Sequence, residues 1–128
     1  MATRPPQGIE GQIEGGIAQS LGQTLMEDYK LKNGRTSTSD FAKYIVPTSL
    51  DVPQVNTIIV EDPDSTGPLG VKGVAELSLV PTPPAIMNAI YDAIGVRITD
   101  LPATPEKVLT AIRDKERQKS HMAAQRAK

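Results

Sequence analysis

Residues 11–29 read GQIEGGIAQSLGQTLMEDY. Counting from Ile9, the residues Ile13, Ile17, Leu21 and Leu25 recur at every fourth position, which sets them on one slowly drifting stripe of a helix. A second stripe consists of small residues, Gly11, Gly15, Ala18 and Gly22, whose spacing also keeps them on one face. An interior glycine costs a helix about 0.8–1.0 kcal/mol relative to alanine, so Gly11, Gly15, Gly16 and Gly22 together cost roughly 3–4 kcal/mol. Two arrangements offset that cost. Another backbone packs closely against the helix, or a ligand approaches its first turn, where free N–H groups and the positive end of the dipole favour anions. Gln12, Glu14, Gln19 and Gln23 break the apolar character, so the G-x-x-x-G spacing is not that of a paired membrane helix.

Outward from this helix the chain is punctuated. Residues 1–8 read as a flexible lead-in, and Asn33-Gly34 marks a turn. Residues 36–40 are a polar loop, and residues 41–45 mix apolar and charged side chains ahead of Pro47. Residues 55–60, VNTIIV, are the strongest strand candidate. A Pro- and Gly-rich loop over 61–70 leads into the mostly apolar run 71–80, which carries Lys72 and Glu76. Two helices follow. Thr82 caps and Pro83 opens the first, Ile86, Ala89, Ile90, Ala93 and Ile94 form its apolar face, and Gly95 closes it. Thr104, Pro105 and Glu106 open the second, with Val108, Leu109, Ala111 and Ile112 as its stripe. A short strand is expected over 96–99 between them. The order predicts an α+β fold: a long glycine-rich helix, short strands and two C-terminal helices. Residues 9–112 form the body, and 113–128 a basic tail, helical or disordered.

Composition narrows the function. The chain has 128 residues, 38% of them hydrophobic and only 3% aromatic. The aromatic scarcity argues against a nucleic-acid binder that stacks bases. With no Cys and one His, the chain offers no disulfide, no iron–sulfur ligation, no thiol nucleophile and no common zinc cluster. The net charge of −1 divides unevenly: residues 113–128 carry six Lys/Arg against two Asp/Glu, and the rest carry eight against thirteen. A basic tail of this kind is more often solvated than bound to nucleic acid or a membrane surface. No apolar stretch approaches the length of a membrane span, so the expectation is a cytoplasmic protein.

Two side chains are candidates for chemistry. Glu76 lies among Val74, Ala75, Leu77 and Leu79. If buried there, its carboxylate is desolvated and its pKa rises, which suits a general base. The same spacing also allows a surface carboxylate beside Lys72 on a half-buried strand. Gln12, at the start of the glycine-rich helix, offers two donors and an acceptor, although a lone Gln is commonly just solvated.

The segment 11–29 resembles the glycine-rich helix of the molybdenum hydroxylases, the xanthine dehydrogenase/aldehyde oxidase family, near the C-terminus of their large subunit. Residues 41–55, FAKYIVPTSLDVPQV, are similar to that family's following loop. Residues 68–77, PLGVKGVAEL, are similar to its active-site loop G-x-K-G-x-G-E. Residues 80–112 are similar to its closing helices. Ala75 stands where many members carry Gly, and Leu77 where a Pro or small residue is frequent.

The resemblance implies a fragment of the molybdopterin-binding domain. It implies that Glu76 is the general base, deprotonating a hydroxide or water ligand on molybdenum for attack on an aldehyde or N-heterocycle. It implies that Gln12 contacts the pterin cofactor and that Val74 lines it through its backbone, with no metal ligand supplied by this chain. The cofactor is expected as the cytosine dinucleotide, with iron–sulfur clusters and FAD on other domains or subunits. Only the last part of the family's large subunit is matched. The chain is therefore expected to be an excised fragment or a small subunit that is inactive alone, completed by the remaining molybdenum-domain polypeptide. An exposed apolar face and self-association are expected when that partner is absent. The rival expectation is a non-catalytic assembly module that retains the fold.

Overall fold

The computed structural model describes residues 6–126. Helix α1 (Pro6–Leu25) is followed by strands β1 (Leu31–Lys32) and β2 (Arg35–Thr36), a single 3-10 turn at Pro68–Gly70, and helices α2 (Thr82–Ile94) and α3 (Pro105–Arg126). Most of the lead-in expected over 1–8 lies outside the described residues, and α1 starts at Pro6, ahead of Ile9.

Local sequence accounts for several of these boundaries. β1 and β2 pair antiparallel, Leu31 with Thr36 and Lys32 with Arg35. The link between them is Asn33-Gly34, with φ of 52° and 74°, the double left-handed turn whose twist matches a hairpin. Gly95 ends α2 at φ 63°, and its N–H bonds to the Tyr91 carbonyl at 2.6 Å. The Lys115 ammonium donates to the Ile94 carbonyl at 2.5 Å, placing a cation at the negative end of α2. At the start of α3 the Thr104 hydroxyl accepts from the Lys107 N–H at 3.4 Å, as a capping residue does. Hydrogen bonds from its own N–H and from Thr104 hold the Glu106 carboxyl below the usual range. α3 continues unbroken through the basic segment to Arg126.

Three expectations are corrected. Thr82 does not cap α2: it is the first helical residue, Pro81 precedes it, and its hydroxyl donates instead to the Ser78 carbonyl at 2.6 Å. Residues 55–60 and 96–99 form no strand. β-branched side chains favour an extended chain, but a strand exists only against a neighbour that accepts its ladder bonds, and the described residues offer none. Residues 75–81 form consecutive turns rather than an extended run.

The interior is small. α1 packs on α2, and the fully buried positions are Ser20 and Thr24 at 0% exposure and Ala103 at 1%, with no large apolar side chain fully buried among the described residues. Phe41, Leu50, Ile58, Val60 and Leu69 are all strongly exposed. The chain exposes 10079 Å², whereas a compact monomer of 13.7 kDa exposes about 6,600 Å². The apolar surface expected to need a partner is therefore present.

Candidate functional site

The loop that carries Glu76 is fixed to the middle of α1. A Cβ built on Gly16 collides with the Ser78 hydroxyl and sits 3.5 Å from the Leu79 amide nitrogen, so a side chain there would displace the Ser78 hydroxyl from its place against the helix. One turn later the Ser20 hydroxyl donates to the Leu79 carbonyl at 2.7 Å. One turn after that, the Thr24 hydroxyl donates back to the Ser20 carbonyl at 2.6 Å, and the Thr24 carbonyl accepts from the Ala103 N–H at 2.6 Å. Gly16, Ser20 and Thr24 thus form a single row at intervals of four, the helical neighbour spacing. Gln12 is the preceding member of that row, about 6 Å further toward the helix start.

The contact row is not the small-residue stripe expected from the sequence. Of that stripe, Gly22 is buried against the Pro47 ring, where a Cβ would lie 2.7 Å from Cδ. Gly11 and Gly15 have nothing within 4 Å. Ser20 and Thr24 are the residues that sequence reasoning missed. The available signal was the pair of hydroxyl side chains in a helix interior, where such residues are neutral or unfavourable unless the hydroxyl has a partner.

The loop is braced at both ends. The Leu79 N–H donates to the Glu76 carbonyl at 3.2 Å, tying the Glu76 backbone to the docked pair Ser78–Leu79. Upstream, Leu69 and Gly70 take φ of 58° and 72°, and the Gly70 carbonyl accepts from the Asp64 N–H at 3.2 Å. Lys72 donates to Asp62 at 2.6 Å, and this hydrogen bond holds the Asp62 carboxyl below its usual range.

Glu76 itself is exposed, and so is Gln12, whereas Val74 is half-buried. The expectation that Glu76 is sheltered from water is corrected for this chain: Ala75 and Leu77 beside it are exposed too, and none of the described residues covers the loop there. Nor is Glu76 the partner of Lys72, which is engaged by Asp62. The Ser78 hydroxyl, two residues on, is buried without a hydrogen-bond partner. Among the described residues no group of His, Cys, Asp or Glu side chains is arranged to hold a metal ion, and no helix is long and apolar enough to cross a membrane.

Comparison with known proteins identifies this framework. The molybdopterin cofactor-binding domain model matches residues 5–53. The chain is 42% identical over 107 residues to a probable xanthine dehydrogenase component of Bacillus subtilis, covering 84% of this chain and 14% of that one. It is 44% identical over 107 residues to the aldehyde oxidoreductase of Megalodesulfovibrio gigas, covering 81% and 11% respectively. The crystal structure of quinoline 2-oxidoreductase from Pseudomonas putida 86 superposes with a TM-score of 0.78 at 37% identity, over 84% of this chain and 14% of that one. The chain thus spans about one-seventh or less of the relatives it matches. The match runs through the α1 row and the loop docked on it, and by it the chain belongs to the xanthine dehydrogenase/aldehyde oxidase family of molybdenum hydroxylases, as a fragment of their molybdopterin-binding domain.

Proposed function

We propose that this chain is the portion of a molybdenum hydroxylase that carries its general base, Glu76, and that it works only when the remaining molybdenum-domain polypeptide closes over it. The observation that carries this reading is the docking of the 76–79 turn on Gly16 and Ser20, in the same helical row as Gln12. The row sets the glutamate loop and the amide side chain on one side of α1.

The residues fit a bulky cofactor at the start of α1. Gly8, Gly11 and Gly15 stand in open space, so a ligand can lie against bare helix backbone there, with the Gln12 amide between the glycines to donate and accept. Val74 contributes its backbone from the loop. A molybdenum–pterin group, expected as the cytosine dinucleotide, supplies the two-electron redox chemistry when bound. Glu76 accepts the proton of the oxygen nucleophile that attacks the electron-poor carbon of an aldehyde or N-heterocycle. Relatives named for xanthine, aldehyde and quinoline support that substrate class. Iron–sulfur clusters and FAD would be carried on other domains or subunits and would take up the electrons there, since this chain has no Cys to ligate a cluster. Covering the exposed Glu76 with the second polypeptide is what desolvates its carboxylate and matches it to base catalysis.

The test is co-expression with the rest of the large subunit. Glu76→Gln is expected to lower turnover by about 10²–10⁴-fold with pterin content and assembly unchanged. Full activity in Glu76→Gln overturns the assignment and favours a non-catalytic assembly module.

A further inference from the structure

Between residues 6 and 112 the chain has seven Lys and Arg side chains, and five of them have a partner. Lys30, Lys43 and Lys72 pair with Asp28, Asp40 and Asp62. Lys107 donates to the Asp100 carbonyl at 3.3 Å, and the Arg97 guanidinium lies 4.2 Å from the centre of the Tyr91 ring. The two left over are Lys32 and Arg35, which enter no ion pair among the described residues. They also face each other: β1 and β2 pair them directly opposite, with Cβ atoms about 5 Å apart. Like charges in that position destabilise a strand pair, and a two-stranded ribbon is marginal to begin with. The charge also departs from its surroundings. Residues 1–112 carry eight Lys/Arg against thirteen Asp/Glu, yet residues 29–39 carry three Lys/Arg and no carboxylate.

The two cations border an open cleft of about 520 Å³, lined by Lys32, Asn33, Arg35, Thr36 and Ser37. No carboxylate and no apolar side chain lines it, so it suits neither a metal ion nor an apolar ligand. The Ser37 hydroxyl is engaged by the Lys30 carbonyl at 3.0 Å. The Thr36 hydroxyl lies 2.8 Å from the Tyr29 hydroxyl; when Tyr29 donates in that pair, the Thr36 proton is free for the cleft. The Asn33 amide brings two further donors. The lining therefore offers two positive charges with neutral donors between and beside them.

We propose that this hairpin cleft binds a doubly charged oxyanion, a phosphate ion or a phosphate monoester, between Lys32 and Arg35. Two positive charges match its two negative ones, and the Arg35 fork bonds two of its oxygens at once. The Asn33 amide and the Thr36 hydroxyl complete the donor set. Binding turns the cross-strand repulsion into a bridge and so stiffens the hairpin. The cleft follows the C-terminal end of α1, about 20 Å of helix beyond Gln12, at the opposite end of that helix from the open glycines.

The experiment follows the backbone amide shifts of the full 128-residue chain during titration with inorganic phosphate or with glycerol phosphate. Chloride holds the ionic strength constant, at about pH 7.5, where a phosphate monoester is a dianion. Saturable shifts are expected at residues 32–37. Lys32→Gln and Arg35→Gln are each expected to raise the Kd by about tenfold or more, as a charge-assisted hydrogen bond is lost. Lys30→Gln, whose ammonium is already held by Asp28, is expected to change it by less than about threefold. Lys32→Gln also removes the cross-strand repulsion, so the empty hairpin keeps its Leu31–Thr36 pairing and the loss of binding is not a loss of fold. Tighter binding of glycerol phosphate assigns the site to phosphate esters, and the reverse order to the free ion. Shifts that never saturate and extend equally to Lys43 and Lys72 are charge screening only and overturn the site. Undiminished binding with Lys32→Gln and Arg35→Gln combined overturns it as well.

Discussion

The two halves of α1 have the same glycine-rich character but different surroundings. In the C-terminal half, Gly16, Ser20, Gly22 and Thr24 are all buried; Gly16 meets Ser78, Gly22 meets Pro47, and Ser20 and Thr24 bond to Leu79 and Ala103. In the N-terminal half, Gly8, Gly11 and Gly15 meet nothing within 4 Å. The helix-propensity penalty is the same in both. In one half it is offset by close packing of loop residues against the bare helix backbone; in the other, none of the described residues offsets it. A residue type that looks uniform along a helix is thus divided by its neighbours into a packed segment and an open one, and the open one adjoins the Gln12 end of the glutamate-loop row.

Substitutions test that division, beginning with the largest expected effect on stability. Gly22→Val places a branched side chain against the rigid Pro47 ring, 2.7–2.9 Å from the position of its Cβ, and is expected to destabilise the chain by about 2–3 kcal/mol in urea denaturation followed by helical circular dichroism. A neutral or stabilising result would show that the packed half is not packed in solution. Next, Ser20→Ala removes the hydroxyl that satisfies the Leu79 carbonyl. A loss of about 1–2 kcal/mol is expected, with faster exchange of the Leu79 amide as the 76–79 turn loosens.

Gly15→Ala should run the other way. With open space at that position, alanine is expected to stabilise the chain by up to about 1 kcal/mol. In the assembled enzyme the same change is expected to lower pterin content, because the added methyl stands where the ligand approaches. Unchanged pterin content would remove the open half from the ligand reading.

The smallest effect concerns the brace on the glutamate loop. The Lys72 hydrogen bond depresses the folded-state pKa of Asp62. A depressed carboxyl contributes stability that is present above its unfolded pKa and is lost as pH falls through the folded value. Both side chains are well exposed, so the effect on stability is small, but it is readable site by site. An NMR titration of the Asp62 carboxyl should show it ionised below the usual carboxylate range, and Lys72→Ala should return it to that range.

Legibility followed the range of the interactions. The Asn33-Gly34 turn, the Thr104 cap and the Gly95 stop depend on a few adjacent residues, and each appears where local chemistry puts it. The α1 apolar stripe was legible for the same reason, although the helix starts at Pro6. Residues 55–60 have strand-forming side chains but no neighbour to pair with among the described residues, so propensity overstated what they build. The role of Gly16 was hidden because its partner, Ser78, lies sixty-two positions away. The motif around Glu76 marked the right loop, whereas its shelter depends on a wall that none of the described residues provides.

By itself, the sequence determined the three helices, the Gly95 stop and the Asn33-Gly34 turn, because those follow from backbone hydrogen bonding and φ preferences within a few residues. Its motif order also determined the family. Only the tertiary structure decided which glycines are packed and which stand open, that Ser20 and Thr24 rather than the Ile/Leu stripe are the fully buried positions of α1, and that Glu76 is exposed in this chain. Burial and pairing depend on residues distant in sequence, and a one-dimensional pattern carries no record of those distances.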